Sequence, residues 1–336
     1  MRHAKLFRKI ACLSGIFFLV FTLSVLGTAD DSQAARQFVR LGGSNPGGSW
    51  FIIAGGLSSL LNKNLTDVNV TPVATGGSAD NNRQARQNGL DVWLTHSLTA
   101  YDNYHGTGLF EGKGEFKDYR MMFGVYESWH HFVVLDKSDI KSMSDLKGKR
   151  IAVGAAGSGA AVNSENILRA LGLWDQLEAE HLTFDASGRA LADGQVDAVS
   201  LSSAPMAAIV SVEASHKIRL IALTDQEIKT VMKKFPAYKK ATMPAMVYKS
   251  WDKPYPCIAF QVYLAANQNV DADVVSQMMG ALMDPANATF LGRVHRQLKT
   301  ISPAFDGIEG LGIPLHPGAV KYYKEMGKSV PKKIMP

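Results

Sequence analysis

Two rhythms of apolar and polar positions run along this chain. "FVRL" (Phe38–Leu41) is a short strand-like run that leads into the Gly-rich "RLGGSNPGGSW". Trp50, Ile53, Leu57, Leu60 and Leu61 then recur at helical spacing. "VNVTPV" reads as a second strand. "TGGSADN" (Thr75–Asn81) opens a second helix with a C-cap expected at Asn88-Gly89, and "LDVWLTHS" is a third strand with a hydroxyl-rich end.

A second copy of this order begins at "SMSDLKGKRIAVG". Ser144-Asp145 starts a short helical turn, Lys149–Val153 is a strand, "AAGSGAA" is the Gly loop, and "VNSENILRALGL" is a helix capped by Gly172. "LTFD" and "SGRALADGQVDAVSLSS" repeat the ending, and "RQARQNGLDVWLTHS" and "RALADGQVDAVSLSS" match helix, Gly, Asp, apolar strand and hydroxyls. Two βαβ lobes are the simplest account. Lobe 1 is expected over 36–135 and 247–336, and lobe 2 over 136–246. The long apolar runs "YRMMFGVYESWHHFVVL" and "CIAFQVYLAA" carry the chain across and back. In open α/β sheets ligands bind beyond the carboxyl ends of the strands, so two such sheets face each other across a cleft.

The N-terminus assigns a compartment. Arg2, Lys5, Arg8 and Lys9 precede an apolar run from Ile10 to Leu26, then the small Gly27–Ala29 and the polar "DDSQAAR". This order predicts a signal peptide over 1–29, cleaved near Ala29 or Ala34, and a periplasmic mature protein. An uncleaved membrane anchor is the alternative, since a span needs ~20 apolar residues. The formal charge of +6 depends on this segment; without it 32 basic residues face 30 acidic ones. No basic run carries interleaved aromatics, which argues against nucleic acid as a partner. Only Cys257 remains after cleavage, excluding an internal disulfide or a Cys-based metal site.

The Gly loops are not nucleotide motifs. Neither has the Gly-Lys-Ser/Thr of a P-loop or the G-x-G-x-x-G spacing of a dinucleotide site. Glycines still admit a ligand to the backbone N–H groups, and a helix N-terminus carries partial positive charge, so together they suit a carboxylate or phosphate. The hydroxyls of Ser44, Ser49, Ser78 and Ser158 extend that offer, although each run also suits a tight turn with a Ser cap. No nucleophile elbow or H-E-x-x-H motif is present, and Asp185, Asp193 and Asp197 are not spaced as a metal cage. No catalytic residue, metal or cofactor is expected. His130 and His131 point to opposite faces of one strand, where a buried histidine with a backbone partner is the plainer reading.

"GGSNPGGSWF", "TGGSADN", "DLKGKRIAVGAAGSG", "LADGQVDA" and the tail "IPLHPGAVKYYKEMG" resemble the TAXI family, the solute receptors of tripartite ATP-independent periplasmic (TRAP) transporters. The resemblance covers nearly all of the mature chain. It implies an α/β, two-lobed periplasmic binding fold of the type II clamshell class with its ligand cleft between the lobes. It also implies no enzyme activity, and delivery of an amino acid such as glutamate, or an organic acid, to TRAP membrane subunits. The implied ligand set is Gly43, Ser44, Asn45, Gly48 and Ser49 with Trp50; Thr75, Gly77, Ser78 and Asn81; Gly157, Ser158, Gly159 and Ala160; Ser203; and His131 and Tyr248. Trp50-Phe51 replaces a pair of tyrosines common in the family, and "SSAPMAA" replaces a usual Gly-x-Pro. Trp50, Trp93, Trp129 or Tyr248 are candidates for an apolar wall, and Glu127 or Asp80 for the partner of a ligand amine. An ABC-importer receptor of the same fold, a secreted enzyme and a surface adhesive or sensory protein remain alternatives.

Overall fold

The computed structural model describes residues 36–301, 305 and 307–336. The expected signal peptide and its cleavage positions lie outside the described residues. Among the described residues, no helix is long and apolar enough to cross a membrane.

The chain begins with β1 (Gln37–Gly42), α1 (Ser49–Asn64), β2 (Val68–Val73), α2 (Ser78–Arg86) and β3 (Val92–His96). The five apolar residues that predicted α1 are all buried, each stabilising the fold by roughly 1.5–3 kcal/mol. β2 lies at the sheet edge, where Pro72 removes no needed donor. Asn88 takes the left-handed conformation expected of this cap (φ +55°), without Gly89 sharing it. β3 runs directly into α3 (Ser97–His105), which the polarity pattern had not revealed because its buried residues are mostly polar or small.

The 17-residue β4 (Tyr119–Leu135) leads to β5 (Arg150–Ala152), α4 (Gly159–Ala170), β6 (Glu178–Glu180), α5 (Phe184–Ala192) and β7 (Ala198–Ser202). A capping box of Ser142 and Asp145 starts the turn before β5, two residues ahead of the expected Ser144. "LTFD" forms the entry to α5, and the edge strand β6 is the polar "EAE" upstream, with no alternation to read. Next come α6 (Ala207–Glu213), β8 (Ile218–Ile221), α7 (Asp225–Lys234) and β9 (Lys239–Met243). β10 (Tyr255–Asn267), α8 (Ala272–Met283), α9 (Ala288–Val294), α10 (Ile308–Leu311) and α11 (Pro317–Glu325) follow.

The strands join in the order β2-β1-β3-β10-β4-β7-β5-β6, with β8 on β4 and β9 on β10. β4 and β10 are antiparallel neighbours, and each runs from one core into the other. The first core gathers β1–β3, the end of β10 and helices α8–α11; the second lies on both faces of the sheet around β5–β8. Val247, Tyr248 and the first half of β10 pack into the second core, so the return to the first falls near Val262 rather than at residue 247.

The repeated plan is physical. β2-β1-β3 and β6-β5-β7 are parallel triplets of the same order. Each is locked by the same clamp. Asp91 accepts from the Arg40 backbone N–H at 2.7 Å and from its guanidinium, and Asp197 does the same for Arg150, with the backbone bond at 2.9 Å. Burial acts to raise the pKa of both carboxyls, but the hydrogen bonds and charge of the arginines outweigh it and hold both below the usual carboxylate value.

Candidate ligand-binding site

The two halves meet where their helices begin. α1 starts after the Gly48 turn, α2 after Gly77 and α4 after Ser158, and these three starts share one cavity. It is lined by Ser44, Ser49, Trp50, Gly76, Gly77, Ser78 and His96 from the first half, and by Ser158, Gly159, Ala160, Phe184, Ser202, Ser203 and Met206 from the second. Its volume is about 20 Å³, enough for about one water molecule. The walls are close: a Cβ on Gly159 would stand 2.6 Å from Ser78 Cβ and 3.0 Å from His96 Nδ1. Ser49 Oγ donates to Pro205 O (2.9 Å), and the Arg83 guanidinium donates twice to Gly157 O, so direct hydrogen bonds also bridge the halves.

The bonding network fixes which groups face a guest as donors. Amides in the first turn of a helix have no intrahelical acceptor, which leaves those of Ser49, Ser78, Gly159 and Ala160 pointing out of their helices. Ser158 Oγ caps α4 by accepting from Ala161 N (3.1 Å), and its own proton has no acceptor among the described residues. Trp50 Nε1 donates to Tyr126 Oη (2.8 Å), which lies 3.1 Å from Ser203 Oγ. The arrangement that satisfies Tyr126 has its O–H donating to Ser203, and this frees the Ser203 proton.

Among the described residues, His96 is the one titratable side chain in the lining. Asn163 Nδ2 lies 3.2 Å from its Nδ1, and an amide nitrogen only donates, so Nδ1 accepts and the ring proton sits on Nε2. Burial lowers its pKa to about 3, making it neutral at physiological pH. Behind it a directional chain runs from Ser202 O–H to His130, from His130 to Ser200, on to Ser164, and ends at the Ala160 carbonyl. Tyr238 O–H anchors Asn163 Oδ1 at 2.7 Å. Ser203 has φ +83°, and the Ala204–Pro205 peptide beside it is cis.

Of the candidates read from the sequence, Ser44, Ser49, Trp50, Gly77, Ser78, Ser158, Gly159, Ala160 and Ser203 lie in the lining. The others stand behind it. Thr75 and Asn81 both donate to the Gly43 carbonyl and brace the first loop. Asn45, Gly48 and Gly157 belong to the turns, and Gly157 receives Arg83. His131 bonds Tyr248 Oη at 2.9 Å, and Tyr248 Oη accepts from Met206 N, so this pair positions Met206 from behind. Burial raises the Tyr248 pKa and lowers that of His131 to about 4. Trp93 and Trp129 pack in or against the cores, leaving Trp50 as the aromatic of that group in the lining, while Phe51 is exposed.

Gly76 belongs to the Thr75–Ser78 loop read from the sequence and also lies in the lining, whereas sequence reasoning missed His96, Phe184, Ser202 and Met206. The matched endings "LTHS" and "SLSS" were the signal for His96 and Ser202. Phe184 and Met206 had none, because an apolar residue beside a cavity reads like one in a core. Two motifs that carried the resemblance are packing devices. The tail forms α11, with Pro317 in its first turn and Tyr323 Oη donating to Met122 O. "DLKGKR" supplies the buried Leu146 and the Arg150 clamp.

A two-cored α/β chain with helix starts facing each other across a seam has the type II clamshell fold of periplasmic binding proteins. The chain is similar to several solved structures at low identity. A periplasmic transporter is 17% identical over 87% of this chain and 93% of that chain, with a TM-score of 0.50. A putative L-cystine ABC transporter from Listeria monocytogenes is 14% identical over 79% and 97%, at 0.49. The alkanesulfonate-binding protein SsuA from Xanthomonas axonopodis pv. citri bound to MOPS is 17% identical over 90% and 97%, at 0.47. The family is shown by sequence: residues 41–327 match the model of the NMT1-like family, and the chain belongs to it.

Proposed function

We propose that this protein is an extracytoplasmic solute receptor, without catalytic activity, that closes its two halves on a small carboxylate and presents the closed form to a TRAP-type membrane permease. One observation carries the reading. The first turns of α1, α2 and α4, drawn from both halves, converge with serine hydroxyls on a single cavity at the seam. Such N-termini favour negative charge. Because the cavity is smaller than any carboxylate solute, loading requires the halves to part and re-close, and the solute stabilises the closed form by its preference for it. The TRAP route is supported by the resemblance of the loop and tail motifs, and export by the basic, apolar and small-residue order of the N-terminus.

The test is a thermal-shift screen of carboxylates on purified protein, followed by calorimetry. A solute present at a hundred times its dissociation constant adds about 2.7 kcal/mol of stability. A panel of mono- and dicarboxylates that leaves the unfolding midpoint unchanged contradicts the reading. Uptake that requires an ATPase rather than an ion gradient contradicts the TRAP assignment alone.

A further inference from the structure

We infer that the cavity selects an acid with no ammonium group, so that its ligand is an amine-free carboxylate and not an amino acid. This rests on the receptor reading above and concerns the chemistry of the same cavity. Among the described residues, no Asp, Glu, Lys or Arg side chain lines it. A buried ammonium needs a carboxylate partner or a full set of acceptors, and the lining side chains supply no carboxylate, only neutral hydroxyl oxygens.

Most of those oxygens already accept one hydrogen bond. Ser44 Oγ accepts from Phe51 N, Ser78 Oγ from His96 N and Ser158 Oγ from Ala161 N. Asn163 takes both His96 Nδ1 and Ser202 Oγ. Against these neutral oxygens stand the donors: first-turn amides, the Ser158 and Ser203 protons and the positive ends of three helices. That field attracts a carboxylate and repels a cation.

The carboxylates behind the wall are occupied as well. Asp80 accepts from Gly76 N and Gln84 Nε2, both at 2.8 Å, and lies 3.8 Å from Arg83. Glu127 accepts from Trp129 Nε1 and pairs with Lys239 at 3.5 Å. Asp185 follows Phe184 on α5 but lies against the Gly47 backbone, outside the lining. Both amine partners considered from the sequence are therefore engaged elsewhere.

The experiment is calorimetric titration of the purified protein with matched pairs: 2-oxoglutarate against glutamate, lactate against alanine, and 4-methyl-2-oxopentanoate against leucine. In every pair that gives heat, the amine-free acid is expected to bind at least about tenfold more tightly, because the ammonium is left unpaired. An amino acid that binds as tightly as its amine-free partner overturns the inference and leaves the receptor reading standing. Loss of that amino acid's binding in Asp185→Asn would then identify the overlooked amine partner. If no member of any pair binds, the carboxylate reading of the site falls and takes this inference with it.

Discussion

The two halves share a plan and diverge at the helix starts. In both, a parallel triplet is pinned by an Arg–Asp clamp and a Gly loop leads to a helix N-terminus at the cavity. In the first half the second helix, α2, begins with Ser78 in the lining; its counterpart α5 begins with Phe184. The second half thus sets an aromatic wall where the first sets a hydroxyl and open amides. The capping differs too. α4 has a serine cap bonded to its own third amide, whereas α1 and α2 follow glycines with no side-chain cap. The lesson is that a repeated scaffold can specialise by changing one residue at each helix start, leaving the clamp and strand order untouched.

The largest expected effect is at the seam. His96, His130 and His131 are buried and hydrogen-bonded as neutral rings, with burial holding His96 at about 3, His131 at about 4 and His130 well below its ordinary value. A group whose folded pKa is depressed gives stability that is complete above its unfolded value, near 6.5, and is lost as pH falls toward the folded value. Urea unfolding should therefore show constant stability above about pH 7 and a decline below it. By pH 5 the loss is on the order of 2 kcal/mol per histidine. A flat profile from pH 7 to 5 would show that the seam does not keep its histidines neutral.

Two glycine substitutions separate backbone from space. Gly77 has φ +99° and ψ −159°, with only Ser44 Cβ within reach, at 3.9 Å, of an added Cβ. Gly77→Ala is therefore expected to lose roughly 1–3 kcal/mol of folding stability through backbone strain, seen as a lower urea midpoint. Gly159 has ordinary dihedrals but no room, so Gly159→Ala is expected to leave the midpoint nearly unchanged and weaken binding instead. Equal effects of both on stability would erase the distinction.

Smaller effects compare the halves through the clamps and caps. Asp91→Ala and Asp197→Ala should each destabilise by about 1 kcal/mol. Asp91 is expected to cost more, since its side chain is 23% exposed against 32% for Asp197. Both carboxyls titrate below their ordinary values, so these contributions are complete above about pH 4 and fade as pH falls through the depressed folded values. Ser158→Ala should remove about 1 kcal/mol as a lost cap, with no counterpart at Gly48. Circular dichroism melts of these variants rank the halves directly.

Much of this was legible in the sequence, for identifiable reasons. Trp50, Ile53, Leu57, Leu60 and Leu61 announced α1 because one face is buried. The matched "NGLDVWLTHS" and "DGQVDAVSLSS" announced the repeat because the clamp needs Asp at one place in each. β6 was not legible because a polar edge strand has no alternation, and α3 was missed because its buried face carries Ser97, Thr99, Asp102 and Asn103. Nothing local marked Phe184 or Met206 as cavity residues, since only tertiary packing brings them opposite Ser44 and Ser49.

Both halves are proposed to hold one carboxylate across the seam. Calorimetric titration of Gly159→Val beside the parent protein, with the best-binding acid of the screen, tests it most directly. A branched side chain there would collide with Ser78 and His96, preventing closure without entering either core. The expected result is a parent-like unfolding midpoint with binding weakened at least about a hundredfold, or about 2.7 kcal/mol. A folded Gly159→Val protein that binds the acid as tightly as the parent would contradict it.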